Sequence, residues 1–258
     1  MRGIFLFLGT GSSTGVPVIG CKCSVCSSPS LKNRRLRSAG WIQVDGRSFL
    51  IDVGPDFRQQ ALTYGIDQVD GLLLTHTHYD HIAGIDDLRI FSVRSKKPIP
   101  CLLSYESYED LKLRYFYFFK EGKSMTAQFA CQQLPANEGQ VSFLDLPIRY
   151  FSYSQGDMKV IGYRLGDFAY VSDIRDFSSA VFSHLEGVNH LVLSALRQES
   201  NPLHLSVGEA VDFAKRVGAK KTWLTHMSHS LDYEETNSHL PVEVQLAYDG
   251  QTIEFEMD

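Results

Sequence analysis

Between Leu74 and His81 the chain reads Leu-Thr-His-Thr-His-Tyr-Asp-His. Three imidazoles and a carboxylate packed into the six residues from His76 are hard to account for by packing, and they read as a metal site. The run just before it, Val69 to Leu74, is short and apolar in the manner of a strand, so the histidines fall at a strand's C-terminal end, where the chain turns outward. His76 and His78 alternate along an extended backbone and point to one side. Asp80 and His81 follow the turn and can face a second position a few ångströms away. This spacing suits two ions better than one. Imidazole and carboxylate accept zinc, and also manganese or iron.

A second cluster lies earlier, in Gly20-Cys21-Lys22-Cys23-Ser24-Val25-Cys26. The surrounding loop is rich in Gly and Ser and has little apolar content with which to fold itself. Three thiols this close are too crowded for a disulfide framework, but they can wrap one tetrahedral zinc when a fourth ligand arrives from elsewhere.

The histidine run resembles the metal-binding signature of the metallo-β-lactamase fold superfamily. The resemblance extends through Phe7-Leu8-Gly9-Thr10-Gly11, Phe49-Leu50-Ile51-Asp52-Val53-Gly54, Tyr170-Val171-Ser172-Asp173 and Leu224-Thr225-His226, which come in the expected order. It implies an αββα sandwich, two mixed β-sheets flanked by helices. It also implies that Asp173 bridges two metals and that His226 binds the second of them with Asp80 and His81. The cysteine loop is similar to that of the phosphoribosyl cyclic phosphate phosphodiesterases. In those proteins a structural zinc is held by three cysteines and a histidine three residues after the last active-site ligand, which here are Cys21, Cys23, Cys26 and His229. That zinc would staple a loop at about residues 9–38.

The same resemblance sets out a chemistry. Ions in the cluster would lower the pKa of a bound water and polarise a phosphoryl or carbonyl oxygen. Asp80 would orient the nucleophile while ligating, Asp52 would fix an imidazole tautomer, and His204, in Pro202-Leu203-His204-Leu205-Ser206, is similar to the relatives' catalytic histidine and would protonate the departing oxygen. One position departs from the pattern, because Gln155 stands where a histidine ligand is expected. The sequence contains no histidine between His81 and His184 to replace it. An amide oxygen is a poorer zinc ligand than imidazole, so the ion held by His76, His78 and Asp173 is expected to bind more weakly.

The expected activity is hydrolysis of a small cyclic or linear phosphodiester, with zinc at the structural site and zinc, manganese or iron at the catalytic one. The alternatives are a nuclease resembling the tRNA 3′-end-processing enzymes and a non-catalytic binding protein with a degenerate metal site. A net charge of −5, from 25 basic and 30 acidic residues, argues against a nucleic-acid partner. Lys32, Arg34, Arg35 and Arg37 are read as solvated surface charge, as are Arg89, Arg94, Lys96 and Lys97. With 258 residues, 43% of them hydrophobic, and no convincing linker, the chain reads as one domain over residues 1–258. Ile4 to Leu8 reads as a core strand, not a signal peptide. No run is long enough to span a membrane. Five cysteines, three of them clustered, favour a reducing compartment, and the expectation is a cytoplasmic protein.

Short apolar strands are expected at 3–8, 40–45, 48–52, 69–75, 99–103, 127–133, 141–144, 147–153, 159–165, 168–172, 190–194, 221–225 and 242–255, the last folded into a hairpin at Asp249-Gly250. Helices are expected at 56–64, 83–91, 106–118, 178–185 and 206–217, with Ser206 and Glu209 forming a capping box and Gly218 just past the end. The aromatic cluster from Tyr105 to Phe119 is read as core or homodimer packing. Glu121 to Glu138 is read as a flap or an ordinary connection. His184, His190 and His239 are read as structural.

Overall fold

A computed structural model describes residues 1–119 and 127–257. Strands β1 (Arg2–Gly9), β2 (Ala39–Val44), β3 (Arg47–Ile51), β4 (Gly71–Leu73), β5 (Ile99–Leu103) and β6 (Phe129–Gln133) build one sheet. The second sheet takes β7 (Glu138–Phe143), β8 (Leu146–Gln155), β9 (Met158–Leu165), β10 (Phe168–Val171), β11 (His190–Ser194), β12 (Lys221–Thr225) and β13 (Val244–Leu246). β14 (Thr252–Glu256) then returns to the first sheet and pairs antiparallel with β1. Each sheet is mixed, with β3 to β6 parallel in one and β10 to β13 parallel in the other.

The helices are α1 (Phe57–Tyr64), α2 (Tyr79–Ile82), α3 (Arg89–Ser95), α4 (Tyr105–Arg114), α5 (Ala180–Leu185), α6 (Val207–Val217) and α7 (Tyr233–Ser238). Apolar residues sort into three layers. Phe5, Phe49, Ile148, Tyr163, Phe168 and Val192 pack between the sheets. Phe57, Leu88 and Leu111 cover the first sheet's outer face, while Leu185, Phe213 and Tyr233 cover the second's. The result is the αββα sandwich that the resemblance implied, with helices shielding strands that are apolar on both faces.

The helix 207–217 forms as expected. Ser206 accepts from the Glu209 backbone N–H, Glu209 returns the bond, and Gly218 closes the end at φ 73°. Elsewhere the sequence expectations need correction. The region 83–91 divides into a 3-10 turn at Ile85–Leu88 and α3, and the strand at 69–75 narrows to β4. Asp249-Gly250 makes no hairpin, because the strands on either side belong to different sheets. Asp249 is instead a half-buried tie whose carboxylate accepts from Thr10 Oγ1 and the Leu36 N–H, both at 2.7 Å. Arg35 is not surface charge. It is 1% exposed and donates to the carbonyls of Ser228 and Leu231 at 3.0 and 2.7 Å. The aromatic cluster does pack, with Tyr115 and Phe118 stacked 5.2 Å apart in the first sheet's outer layer. Of the segment 121–138, residues 121–126 lie outside the described residues, and β6 lies within the remainder.

Candidate metal centre

Both sheets end their parallel strands at the same rim, and that rim gathers the polar residues singled out above. Three of them, Asp52 after β3, Asp173 after β10 and His226 after β12, adopt left-handed backbone conformations with φ of 61°, 56° and 58°. A non-glycine residue pays to turn this way, and such strain persists where the surroundings hold it, often at functional sites. Here it reverses the chain at the strand end and sends each side chain into the rim. Helix α2 brings Asp80 and His81 to the same place through an unusually close approach. A Cβ at Gly54 would lie 2.0 Å from the Asp80 carbonyl oxygen, and one at Gly84 would lie 2.1 Å from the Gly54 carbonyl oxygen.

One carboxylate sets the state of two rings. Asp52, fully buried, accepts from the Thr75 N–H and hydroxyl, both at 2.8 Å, and from His81 Nδ1 at 2.7 Å. With His81 Nδ1 donating, its Nε2 turns a lone pair toward the rim, where it has no hydrogen-bond partner among the described residues. The Thr75 hydroxyl, having spent its proton on Asp52, accepts from His76 Nδ1 at 2.9 Å. That leaves His76 Nε2 as an acceptor as well, 2.9 Å from His78 Nδ1. Asp173 lies 3.3 Å from both His81 Nε2 and His226 Nε2, and Asp80 Oδ2 lies 3.2 Å from His226 Nε2. Such convergence of lone pairs and carboxylate oxygens is the donor set that a divalent cation satisfies.

The electrostatics point the same way. Burial opposes charge on His81, yet Asp52, Asp173 and Asp80 hold its pKa well above the usual imidazole range, so the lone pair on Nε2 becomes available when a cation displaces the proton there. Burial likewise opposes ionisation of Asp173, but His226 and His81 keep it well below the carboxylate range. His76 is pushed well below its ordinary value by burial and by the neighbouring His81. The cluster therefore favours positive charge at its centre and neutral imidazole at its rim.

Ligand atoms of His76, His81 and Asp173 lie within 4.8 Å of one another, as do those of Asp80, His81 and His226, and those of Asp173, His204 and His226. His78 joins through His76. His204 sits 3.3 Å from Asp173 Oδ1 and stacks on His226 at 4.9 Å, with its pKa lowered to about 4 by burial and then by His226. Gln155, 5% exposed at the end of β8, donates to Asp173 Oδ1 at 3.2 Å. Thr75 and Gly54 are the residues the sequence reading did not single out. The Asp52 contact exposes the first, and only the approach to α2 exposes the second. A cleft of about 730 Å³ between α1 and α3 includes none of these side chains.

The cysteine loop forms the second centre. The sulfurs of Cys21, Cys23 and Cys26 lie 3.4, 3.4 and 3.6 Å from His229 Nδ1. Zinc at ordinary bond lengths would place S and N at about 3.6 Å along a tetrahedron's edge, so four donors already stand where one ion needs them. The Cys26 N–H, and then His229, lower the Cys23 thiol to about 6, which favours the thiolate a metal requires, whereas burial pushes Cys26 up to about 11.

Fold and donor set together define a metal-binding α/β protein of two-sheet architecture. Residues 47–227 match the family model described as the beta-lactamase superfamily domain, and the chain belongs to that family, in its metallo-β-lactamase fold. The metallo-β-lactamase fold implies binding of divalent metal. Across 100% of this chain and 98% of the other, it is similar to a solved structure described as a new diphosphatase from the PhnP family, with 37% identity and a TM-score of 0.93. The zinc-bound PqqB of Methylobacterium extorquens shares the fold at 17% identity and a TM-score of 0.79, covering 97% of this chain and 99% of that one. Among curated proteins, an octanoyltransferase of Porphyromonas gingivalis is 32% identical over 250 residues, which are 95% of this chain and 50% of that protein. A ribonuclease Z of Mycolicibacterium gilvum is 38% identical over 65 residues, 24% of this chain and 23% of that protein. The chain thus spans half of the first curated relative and about a quarter of the second. No helix among the described residues is long and apolar enough to cross a membrane.

Proposed function

We propose that the protein is a metal-dependent phosphohydrolase that cleaves a P–O bond in a small phosphodiester, cyclic or linear, diphosphate linkages included. The observation that carries this reading is the full-length likeness to a diphosphatase, joined to a rim whose imidazole nitrogens converge on two buried carboxylates, Asp173 and Asp80. Divalent metal held by His76, His78, Asp80, His81, Asp173 and His226 would supply a nucleophilic water at neutral pH and positive charge for the phosphoryl oxygens. Zinc is assigned to Cys21, Cys23, Cys26 and His229, whose spacing matches its tetrahedron, and thiols reserved for metal fit a reducing, cytoplasmic setting.

The chain's own groups divide the remaining work. Asp80, between His81 and His226, orients the attacking oxygen by accepting a hydrogen bond from it. His204, neutral in the resting site, gains proton affinity when an anionic phosphate lies beside it, takes up a proton from solvent and delivers it to the leaving oxygen. Asp52 keeps His81 in the tautomer that presents Nε2. Burial of the cluster excludes bulk water, which strengthens each of these interactions. A net charge of −5 disfavours a long nucleic-acid substrate.

The test is anaerobic purification with elemental analysis, followed by assay on bis(4-nitrophenyl) phosphate, a cyclic phosphate and a diphosphate ester with added zinc or manganese. Metal-dependent hydrolysis of at least one supports the reading. A protein fully loaded with metal yet inert on all three would point to a binding role instead.

A further inference from the structure

We propose that Gln155 is itself a metal ligand, and that its carboxamide oxygen narrows the zinc preference of the His76–His78–Asp173 half of the centre so that Mn(II) competes there. The inference rests on the metal-dependent reading above and concerns one side chain that reading leaves without a role. Gln155 is 5% exposed and belongs to a cluster otherwise made of titratable groups. Its amide nitrogen donates to Asp173 Oδ1 at 3.2 Å and lies 3.1 and 3.0 Å from the two ring nitrogens of His204. This orientation is fixed by chemistry, because the reversed amide would set two acceptor oxygens against each other at Asp173.

The consequence falls on the other end of the amide. Gln155 Oε1 is buried and has no hydrogen-bond partner among the described residues. A buried carbonyl without a donor is rare, and an unpaired polar atom inside a cluster of metal-seeking groups signals what the cluster lacks. His76 Nε2 and His78 Nδ1 lie 2.9 Å apart in the same rim, joined by one proton until an ion displaces it. A cation that displaced that proton would take both imidazole lone pairs and give Oε1 the partner it lacks. Asp173 lies between the halves, so the amide that donates to it is tied to the same centre.

The donor type sets the selectivity. Carbonyl oxygen is a hard donor suited to manganese and magnesium, whereas imidazole suits zinc. With oxygen from Gln155 in place of a third nitrogen, the half loses affinity for zinc more than for manganese. The other half, with Asp80, His81, His226 and Asp173, is unaffected and keeps its zinc.

Competition dialysis of the full chain against equal free zinc and Mn(II) tests this, read by elemental analysis and by the Mn(II) paramagnetic resonance spectrum. Gln155→His should raise the zinc-to-manganese ratio of the second catalytic ion by about tenfold or more over the parent, a change of the size expected when a metal-site partner is altered. Gln155→Leu should lose that ion while retaining the other. The zinc on the cysteine loop serves as the internal count. Equal ratios in parent and Gln155→His, or two catalytic ions bound unchanged by Gln155→Leu, overturn the inference while leaving the hydrolase reading intact. A parent that binds no ion beyond the cysteine-loop zinc overturns that reading itself.

Discussion

At Asp52 a single carboxylate governs two imidazoles, directly at His81 and through Thr75 at His76. Asp52→Ala would free both rings to flip or to protonate on the wrong nitrogen. We expect metal affinity at the centre to fall about 10- to 100-fold, with zinc on the cysteine loop unchanged. Titration of metal-depleted parent and variant with zinc checks this, and equal affinities would show that the tautomers are set elsewhere. A second carboxylate, the half-buried Asp249, works on stability instead of chemistry. Burial pushes Asp249 up to about 7, the backbone of Leu36 and the hydroxyl of Thr10 only partly offsetting it. Because the folded value lies above the ordinary 3.8, this group's stabilising contribution is complete below about pH 4 and is lost as the pH rises through about 7. Thermal melts of the parent should therefore fall between pH 5 and pH 8 more steeply than those of Asp249→Asn, which cannot ionise. Identical slopes would mean that Asp249 does not titrate in that window.

Among the elements, α2 is the one whose position the site depends on most, and its place is held by the absence of a side chain at Gly54. Gly54→Ala would drive a methyl into the Asp80 carbonyl, a backbone atom that cannot rotate away. The expected outcome is a loss of about 1–3 kcal/mol in denaturant unfolding, typical of overpacking, together with weaker metal binding at Asp80 and His81. Normal binding in a destabilised variant would separate α2 placement from the site. This dependence was not legible in the sequence, since Gly54 reads only as the end of a motif. Other elements were legible in proportion to how local their signals are. Helix α6 carries its own cap, box and stop between Ser206 and Gly218, and it forms where that punctuation places it. The tight turn at Asp249-Gly250 is just as local a signal, but it failed. Val244 and Leu246 belong to the outer layer of one sheet, while Ile253 and Phe255 belong to the core between the sheets, so packing parts the two strands whatever the turn would allow. Helix α7 was missed because its six residues bury few side chains, although Asp232 caps it by accepting from the Glu234 and Glu235 N–H groups. Arg35 was misread for the converse reason. Charge counting along the chain cannot see carbonyls that arrive from Ser228 and Leu231.

On the scale of the whole molecule, the two proposed metal sites are one assembly, because His226 and His229 belong to the same short segment after β12. The loop between β1 and β2 clamps that segment. The Met227 N–H donates to the Thr10 carbonyl and the Ser12 N–H to the Met227 carbonyl, both at 2.9 Å, while Arg35 holds Ser228 and Leu231. His226 keeps its left-handed turn, φ 58°, within that clamp. If zinc holds the loop through Cys23, then Cys23→Ser should remove about one equivalent of zinc and lower the melting temperature, since a structural tetrahedral site contributes directly to folding. The same change should also loosen the segment that presents His226, so the Asp80–His81–His226 half should bind its ion less tightly although none of its own ligands is altered. The two effects separate experimentally. Zinc content reports on the staple, and titration of the catalytic half at a temperature where the variant remains folded reports on the coupling. Unchanged zinc content would remove the staple from the account. Loss of zinc with undiminished affinity at the catalytic half would leave the staple in place but show that Thr10, Ser12 and Arg35 are enough to hold His226 without it.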